Sequence, residues 1–314
     1  MKIIITLLFL AILSSSFISS EAGDDETQHI NIFFCPQDNC EEQFFLEINS
    51  AQTNLICAIY DIDNEDLLQT FENISNRVNV SIVTEKDNGR YDYDFVTYDY
   101  NYALMHNKFC VIDGSSVITG STNPTKNGFY KNNNNLIVIQ SKEIAKIYLQ
   151  KFKELEDKEY GKNNHITQHI FQQTEIYFCP MNNCRNRVIF EIRNAKHNIT
   201  FATFAFTDKA IATELILAKK RGVNVSGVIE NRMFTSGVAH KLIGANISVV
   251  RDTNKGTMHH KVFVMDEKVV ITGSYNPTKN GNLRNDENFL IIRNESIVKE
   301  FVQELRGLIK ITQD

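Results

Sequence analysis

The chain has 314 residues, 42% of them hydrophobic and 23% charged, a balance that excludes a disordered or fibrous polypeptide and suits two domains of ordinary size. Its net charge of −5 is unevenly spread: residues 23–160 carry 11 Lys and Arg against 23 Asp and Glu, whereas residues 161–314 carry 21 against 14. Unlike halves attract each other, and an anionic ligand is expected mainly on the second half.

The chain opens with Lys2, a charge-free run Ile3–Leu13, polar Ser14–Ser20, and small residues at Ser20 and Ala22. That is the layout of a secretory signal peptide over residues 1–22, with Gly23 the expected mature N-terminus and a secreted or extracytoplasmic product. The alternative is an uncleaved anchor, for which the apolar run is short against the ~20 residues of a bilayer span. Beyond it the sequence repeats itself. "TQHINIFFCPQDNC" at Thr27–Cys40 returns as "TEIYFCPMNNC" at Thr174–Cys184, and "VNVSIV" from Val78 as "VNVSGV" from Val223. "MHNKFCVIDGSSVITGSTNPTKNG" from Met105 returns as "MHHKVFVMDEKVVITGSYNPTKNG" from Met258. Three blocks in the same order mark a duplication, repeat 1 over 23–160 and repeat 2 over 161–314. The offset grows from 144 to 153, so repeat 2 has gained about nine residues before the long motif.

Each repeat reads as α/β. "NITFATFAF" (Asn198–Phe206) is a buried strand, "KAIATELILAKKRG" (Lys209–Gly222) an amphipathic helix ending at glycine, and "VNVSGVIE" (Val223–Glu230) the next strand, which makes a βαβ unit and a partly parallel sheet. "HHKVFVMD" and "KVVITGS" read as a hairpin about Asp266-Glu267. Closing helices are expected at Ser296–Ile309, capped by Ser296, and at Ser141–Leu155, with a linker at Asp157–Asn164.

The long motif carries the chemistry. His106, Lys108, Asp113, Gly120, Ser121 and Asn123 recur as His259, Lys261, Asp266, Gly273, Ser274 and Asn276. On a strand, His and Lys two residues apart face the same side, an arrangement that repels itself unless an anion lies between. The lysine can neutralise a phosphate oxygen while imidazole attacks phosphorus or moves a proton. Ser121, Asn123, Ser274 and Asn276 can donate to the same oxygens. Two copies about a pseudo-twofold axis would set His106 and His259 on opposite sides of one phosphorus, one attacking and one serving as acid and base.

This signature, His-x-Lys-x4-Asp with a trailing Gly-Ser-x-Asn, resembles the phospholipase D superfamily. "TMHHKVFVMDEKVVITGSYNPTKNGNLRNDENFLII" is similar to its one-repeat members, the bacterial endonucleases and the mitochondrial cardiolipin hydrolase or Zucchini-type nuclease. The likeness spans Ile176–Leu308 and, more weakly, Ile30–Leu155. It implies an αβαβα sandwich in each repeat and a cofactor-free, metal-free phosphohistidine mechanism. The catalytic set it implies is His106, Lys108, Asp113, His259, Lys261, Asp266 and Glu287. Phospholipid is favoured as substrate over single-stranded DNA or RNA, and a catalytically weak scaffold is a further alternative. The one-repeat relatives build their site as homodimers, so two fused repeats suggest a monomer with no obligate protein partner. Family members place an acidic residue against the motif histidine. Glu287 stands 28 residues after His259, but Asn134 holds that spacing from His106, which favours His259 as nucleophile. The N-terminal motif holds the nucleophile in two-repeat relatives, which argues the other way.

Six cysteines suit an oxidising compartment. Cys35 with Cys40, and Cys179 with Cys184, are expected as small loop disulfides rather than a zinc site, which needs about four ligands. Cys57 and Cys110 read as buried thiols in strands. Sequons stand at Asn73, Asn79, Asn198, Asn224, Asn246 and Asn294, and a Tyr/Asp-rich run at Tyr91–Tyr102 reads as a solvated loop near the first motif.

Overall fold

The computed structural model describes residues 28–89, 91–160, 169–235 and 237–313. The expected signal peptide and Gly23 lie outside these residues, as does the second half of the Asp157–Asn164 linker. In repeat 1 the elements are β1 (His29–Cys35), α1 (Cys40–Asn49), β2 (Asn54–Ile59), α2 (Glu65–Ser75), β3 (Asn79–Glu85), β4 (Val96–Asp99), β5 (Lys108–Ile112), β6 (Ser116–Gly120), α3 (Lys126–Tyr130), β7 (Asn134–Gln140) and α4 (Lys142–Glu156). Repeat 2 has β8 (His169–Phe171), β9 (Thr174–Cys179), α5 (Cys184–Asn194), β10 (Asn198–Thr203), α6 (Lys209–Lys220), β11 (Asn224–Ile229), α7 (Ala239–Ile243), β12 (Ser248–Arg251), β13 (Lys261–Met265), β14 (Val269–Gly273), α8 (Lys279–Leu283), β15 (Glu287–Ile292) and α9 (Glu295–Gln313).

The strands form one mixed sheet per repeat, ordered β1-β7-β6-β5-β2-β3-β4 and β12-β11-β10-β13-β14-β15-β9-β8. Reversing the second list gives the first order again with β8 added at one edge, so the duplication holds in three dimensions. The inserted residues of repeat 2 fall around α7, which has no helical counterpart in repeat 1. The βαβ unit is borne out: β2 pairs parallel to β3, and β10 to β11. The Tyr91–Tyr102 run is not wholly loop, because β4 extends the first sheet from within it. Both hairpins of the motif turn through two residues with positive φ, Asp113 and Gly114 in one and Asp266 and Glu267 in the other, the type I′ geometry that matches strand twist.

Period-two burial sorts each strand between two layers. Leu55, Cys57 and Ile59 of β2 face α1 and α2, while Ile56 and Ala58 face the opposite way. That second face joins a central cluster drawn from both sheets and from α4 and α9, where Tyr148, Phe109 and Phe178 pack as a trio across the two repeats. The repeats therefore share one core, and their relative position is set by apolar packing. Ser141 caps α4 as expected, accepting from the Ile144 amide at 3.3 Å. For α9 the cap is Asn294 and not Ser296: the Asn294 side chain accepts from the amides of Ser296 (3.1 Å) and Ile297 (3.3 Å), two residues nearer the strand end.

All six cysteines are paired. Cys35–Cys40 and Cys179–Cys184 are the expected loop disulfides. Cys57 and Cys110, expected as thiols, are bonded to each other because β2 and β5 place them directly opposite, with Cα atoms 4.1 Å apart. Repeat 2 fills the same register with Phe201 and Phe263, whose rings lie 5.9 Å apart. Among the described residues no helix is long and apolar enough to cross a membrane.

Candidate active site

The two motif histidines sit just before β5 and β13, and each is held by the other repeat. The His106 amide donates to the Asp286 carbonyl (2.8 Å) and the Asp286 amide to Leu104 (2.9 Å). Reciprocally, the His259 amide donates to Asn133 and the Asn133 amide to Thr257, both at 2.9 Å. The rings cross the seam in the same way. Nδ1 of His106 bonds Glu287 at 2.6 Å, and Nδ1 of His259 bonds Asn134 at 2.9 Å. This corrects the expectation that Glu287 serves His259. The residue after Gly-Ser-x-Asn points across the pseudo-twofold seam, so the carboxylate backs His106 and the amide backs His259.

Lys108 and Lys261 are buried and curl back to the carbonyls of His106 (2.8 Å) and His259 (2.6 Å). Each ammonium lies over an aromatic ring, Lys108 over Tyr60 at 4.8 Å and Lys261 over Phe204 at 5.2 Å, and the same rings flank His106 and His259. Glu85 and Glu230 fix the approach to each motif by accepting from the Met105 (3.0 Å) and Met258 (2.9 Å) amides. The sequence reading missed these four residues, although the aligned repeats show an aromatic closing β2 and β10 and a glutamate after "VNVSIVT" and "VNVSGVI".

Ser121 and Ser274, expected to bind phosphate, are fully buried and engaged elsewhere. Ser274 Oγ donates to Glu287 (2.7 Å) and Ser121 Oγ to Asn134 (3.2 Å), so each hydroxyl orients the group that orients a histidine. The buried Oδ1 of Asn123 and of Asn276 has no partner; it is the Nδ2 amide of each that can donate to a phosphate oxygen. Gly120 and Gly273 precede them with φ of 123° and 139°, and a Cβ at either would collide with the carbonyl of Asn135 or Asn288.

Asp113 and Asp266 do not join the site. They lie at the far ends of β5 and β13, seven residues and roughly 20 Å from the histidines along an extended chain. Asp113 accepts from the amides of Gln52 (2.9 Å), Thr53 (2.8 Å) and Asn54 (3.0 Å), and Asp266 from Lys196 (2.8 Å), His197 (2.7 Å) and Asn198 (3.0 Å). These bonds hold both carboxyls below the usual aspartate range against the opposing effect of burial. Their role in this fold is to seat the start of β2 and β10.

Burial and mutual repulsion dominate the electrostatics. Burial, then Lys108 and Lys261, hold His106 well below the usual histidine value; His259 is lowered by burial, then by Lys261, Lys108 and His106. The crossed bonds His106–Glu287 and His259–Asn134 bring the two motifs together at one seam. Burial pushes Lys108 down to about 7 and Lys261 well below its ordinary range. It pushes Glu287 up to about 7, opposed by Lys108 and by the Ser274 hydroxyl. Such a seam gains most from an anion that can share the burial with two lysines. Among the described residues no cluster of three His, Cys, Asp or Glu side chains is arranged to hold a metal.

Residues 45–156 and 188–309 each match the family model described as "Cardiolipin synthase, PLD-like domain", and the chain belongs to that phospholipase D-like family. It is 32% identical over 128 residues to the phospholipase D of Rickettsia prowazekii, a match covering 40% of this chain and 62% of that protein. To the mitochondrial cardiolipin hydrolase of Xenopus tropicalis it is 31% identical over 135 residues, 41% of this chain and 64% of the relative. The chain thus spans less than two thirds of either relative's length. The phosphatidylserine synthase structure of Haemophilus influenzae shares the fold, with a TM-score of 0.68 over 90% of this chain and 86% of that one at 11% identity.

Proposed function

We propose that the chain hydrolyses phosphodiesters by two successive displacements at phosphorus, with His106 as nucleophile and His259 as acid and base. The crossed seam carries this reading. Glu287 accepts from Nδ1 of His106 and can stabilise the charge that ring acquires when Nε2 bonds phosphorus, whereas Asn134 orients His259 without neutralising it. In the first step the His106–phosphorus bond forms as the bond to the leaving alkoxide breaks, and His259 gives that oxygen its proton. In the second, water attacks phosphorus and yields its proton to His259, the phosphorus–nitrogen bond breaks, and a phosphate monoester leaves. Lys108, Lys261, Asn123 and Asn276 hold the non-bridging oxygens. Burial and the two lysines disfavour the charged form of both histidines, and an anion bound between the lysines opposes that effect at His259.

Relatives named phospholipase D and cardiolipin hydrolase support a phospholipid substrate. A nucleotide strand is the second reading, favoured by the polar, cationic cleft beside His259. The three disulfides support action in an oxidising compartment, consistent with a secreted chain. Bis(p-nitrophenyl) phosphate tests the mechanism. The His259→Ala variant should release about one equivalent of p-nitrophenol and stall, with phosphate on the peptide that holds His106. His106→Ala should show no burst, and chelators should leave the wild type active. Phosphate on His259, or binding without any turnover, would overturn the reading.

A further inference from the structure

Duplication gives each histidine an approach built from corresponding positions, and the side chains at those positions have diverged. The cleft beside His259 has a volume of about 420 Å³ and is lined by Lys131, Arg232 and Lys255 together with Asn132, Asn231 and Asn254. Thr257 also lines it and lies two residues before His259, no more than about 7 Å along the chain. The walls are fixed. Asn254 donates to the Lys131 carbonyl (3.1 Å), the Thr257 amide donates to Asn132 (3.0 Å), and Gly256 packs where a Cβ would strike the Lys131 carbonyl. Arg232 is braced by Glu230 (3.0 Å) and by the Thr257 hydroxyl. Lys131 and Lys255 are exposed, and neither ammonium has a carboxylate partner among the described residues.

The counterpart beside His106 follows from the repeat offsets of 145 and 153. Arg284 stands for Lys131, Asp87 for Arg232, and Tyr102 for Lys255. Lys86, which stands for Asn231, spends its ammonium on the Asn101 carbonyl at 2.7 Å. Asp61, whose charge reaches Lys108, adds a further carboxylate on this side. One arm of the cleft therefore offers three cations, of which Arg232 alone is paired with a buried glutamate, Glu230. At the corresponding positions of the other arm stand Arg284, Asp87 and the exposed Tyr102.

We propose that Lys131, Arg232 and Lys255 form a second anion subsite for the phosphate adjoining the scissile one in a single-stranded nucleic acid, so that the strand binds with one polarity. The inference rests on the phosphodiesterase reading. Because His259 protonates the leaving oxygen, the adjoining phosphate belongs to the alcohol product, and the arm over Tyr102 takes the uncharged end. The lining of amides, three cations, glycine, Thr257 and Glu230, whose carboxylate is taken up by Arg232 and the Met258 amide, contains no purely aliphatic side chain, which disfavours acyl chains as occupants.

The test uses the dinucleotide TpT with a terminal phosphate added at its 5′ end, at its 3′ end, or at neither. One of the two phosphorylated forms should be cleaved with kcat/KM on the order of tenfold higher at low salt, an advantage that shrinks as salt rises. The added phosphate should be recovered on the alcohol product. In the Lys131→Ser/Lys255→Ser double variant the ratio should fall to near one, whereas Arg284→Ser should leave it intact. Comparing substrates within one enzyme keeps the ratio independent of folded fraction. Turnover of bis(p-nitrophenyl) phosphate without any such discrimination overturns the subsite and leaves the phosphodiesterase reading standing; no turnover of any diester overturns both. Recovery of the phosphate on the monoester product also overturns the subsite. So does a preference for cardiolipin over phosphatidylglycerol vesicles that disappears in the double variant.

Discussion

Replacing Glu287 by Gln asks whether the carboxylate on His106 is what makes the two histidines unequal. The substitution keeps an acceptor oxygen for Nδ1 of His106, now 2.6 Å from Glu287, while removing the charge and the acceptor that Asn285 uses at 3.2 Å. A hydrogen bond to a charged group contributes about 1.5–3 kcal/mol against about 0.5–1.5 for a neutral one. If the loss falls on the step that makes His106 cationic, roughly 1–2 kcal/mol disappears from transition-state stabilisation, or about 5- to 30-fold in kcat. Asn134→Ala removes a neutral partner of His259 at 2.9 Å and should cost less than Glu287→Gln. Rapid-quench measurement with bis(p-nitrophenyl) phosphate separates the two: Glu287→Gln should slow the burst, while Asn134→Ala should slow mainly the steps in which His259 moves a proton. A Glu287→Gln enzyme with an unaltered burst rate, or an Asn134→Ala enzyme hurt more in that phase, would refute the assignment of His106 as nucleophile.

The pH dependence of kcat/KM should be a bell centred near neutrality. Glu287, raised to about 7, must be ionised to accept from His106, so activity climbs as pH rises toward that value; Lys108, lowered to about 7, must be protonated to hold phosphate, so activity falls above it. Glu287→Gln should remove the acid limb, and a flat profile in the wild type would contradict the burial argument. Asp113→Ala and Asp266→Ala should each cost about 1–3 kcal/mol in urea unfolding with kcat of the folded enzyme unchanged, because each carboxylate seats backbone amides far from the histidines. With folded pKa values depressed, this stabilisation is present at neutral pH and is lost only as pH falls below the ordinary aspartate range. Replacing Cys57 and Cys110 by Ala opens a loop of sequence separation 53 and should cost about 4 kcal/mol by loop-closure entropy. Opening Cys35–Cys40, with a separation of 5, should cost about half as much. Equal shifts in unfolding midpoint would show that loop size is not the governing term.

Much of this protein could be read from its residues in order. The repeat, the βαβ units, the hairpin at Asp266-Glu267 and the His-Lys pairs are local patterns, fixed by side-chain period, turn chemistry and neighbouring residue types. The growth in offset located extra chain in repeat 2, whereas the cationic cleft near His259 mixes the halves, taking Lys131 from the acidic repeat and Arg232 and Lys255 from the basic one. What stayed hidden depended on how strands from distant segments meet. Cys57 and Cys110 each look like a core residue until β2 and β5 are set in register. Asp113 reads as part of a catalytic signature until the strand carries it to the opposite end of the sheet. Glu287 and His106 are 181 residues apart, and spacing alone assigned the carboxylate to the histidine of its own repeat. Only the packing of two sheets on one core brings β15 against β5 and turns two half-sites into a crossed pair, because a pseudo-twofold seam exchanges partners between the copies it joins.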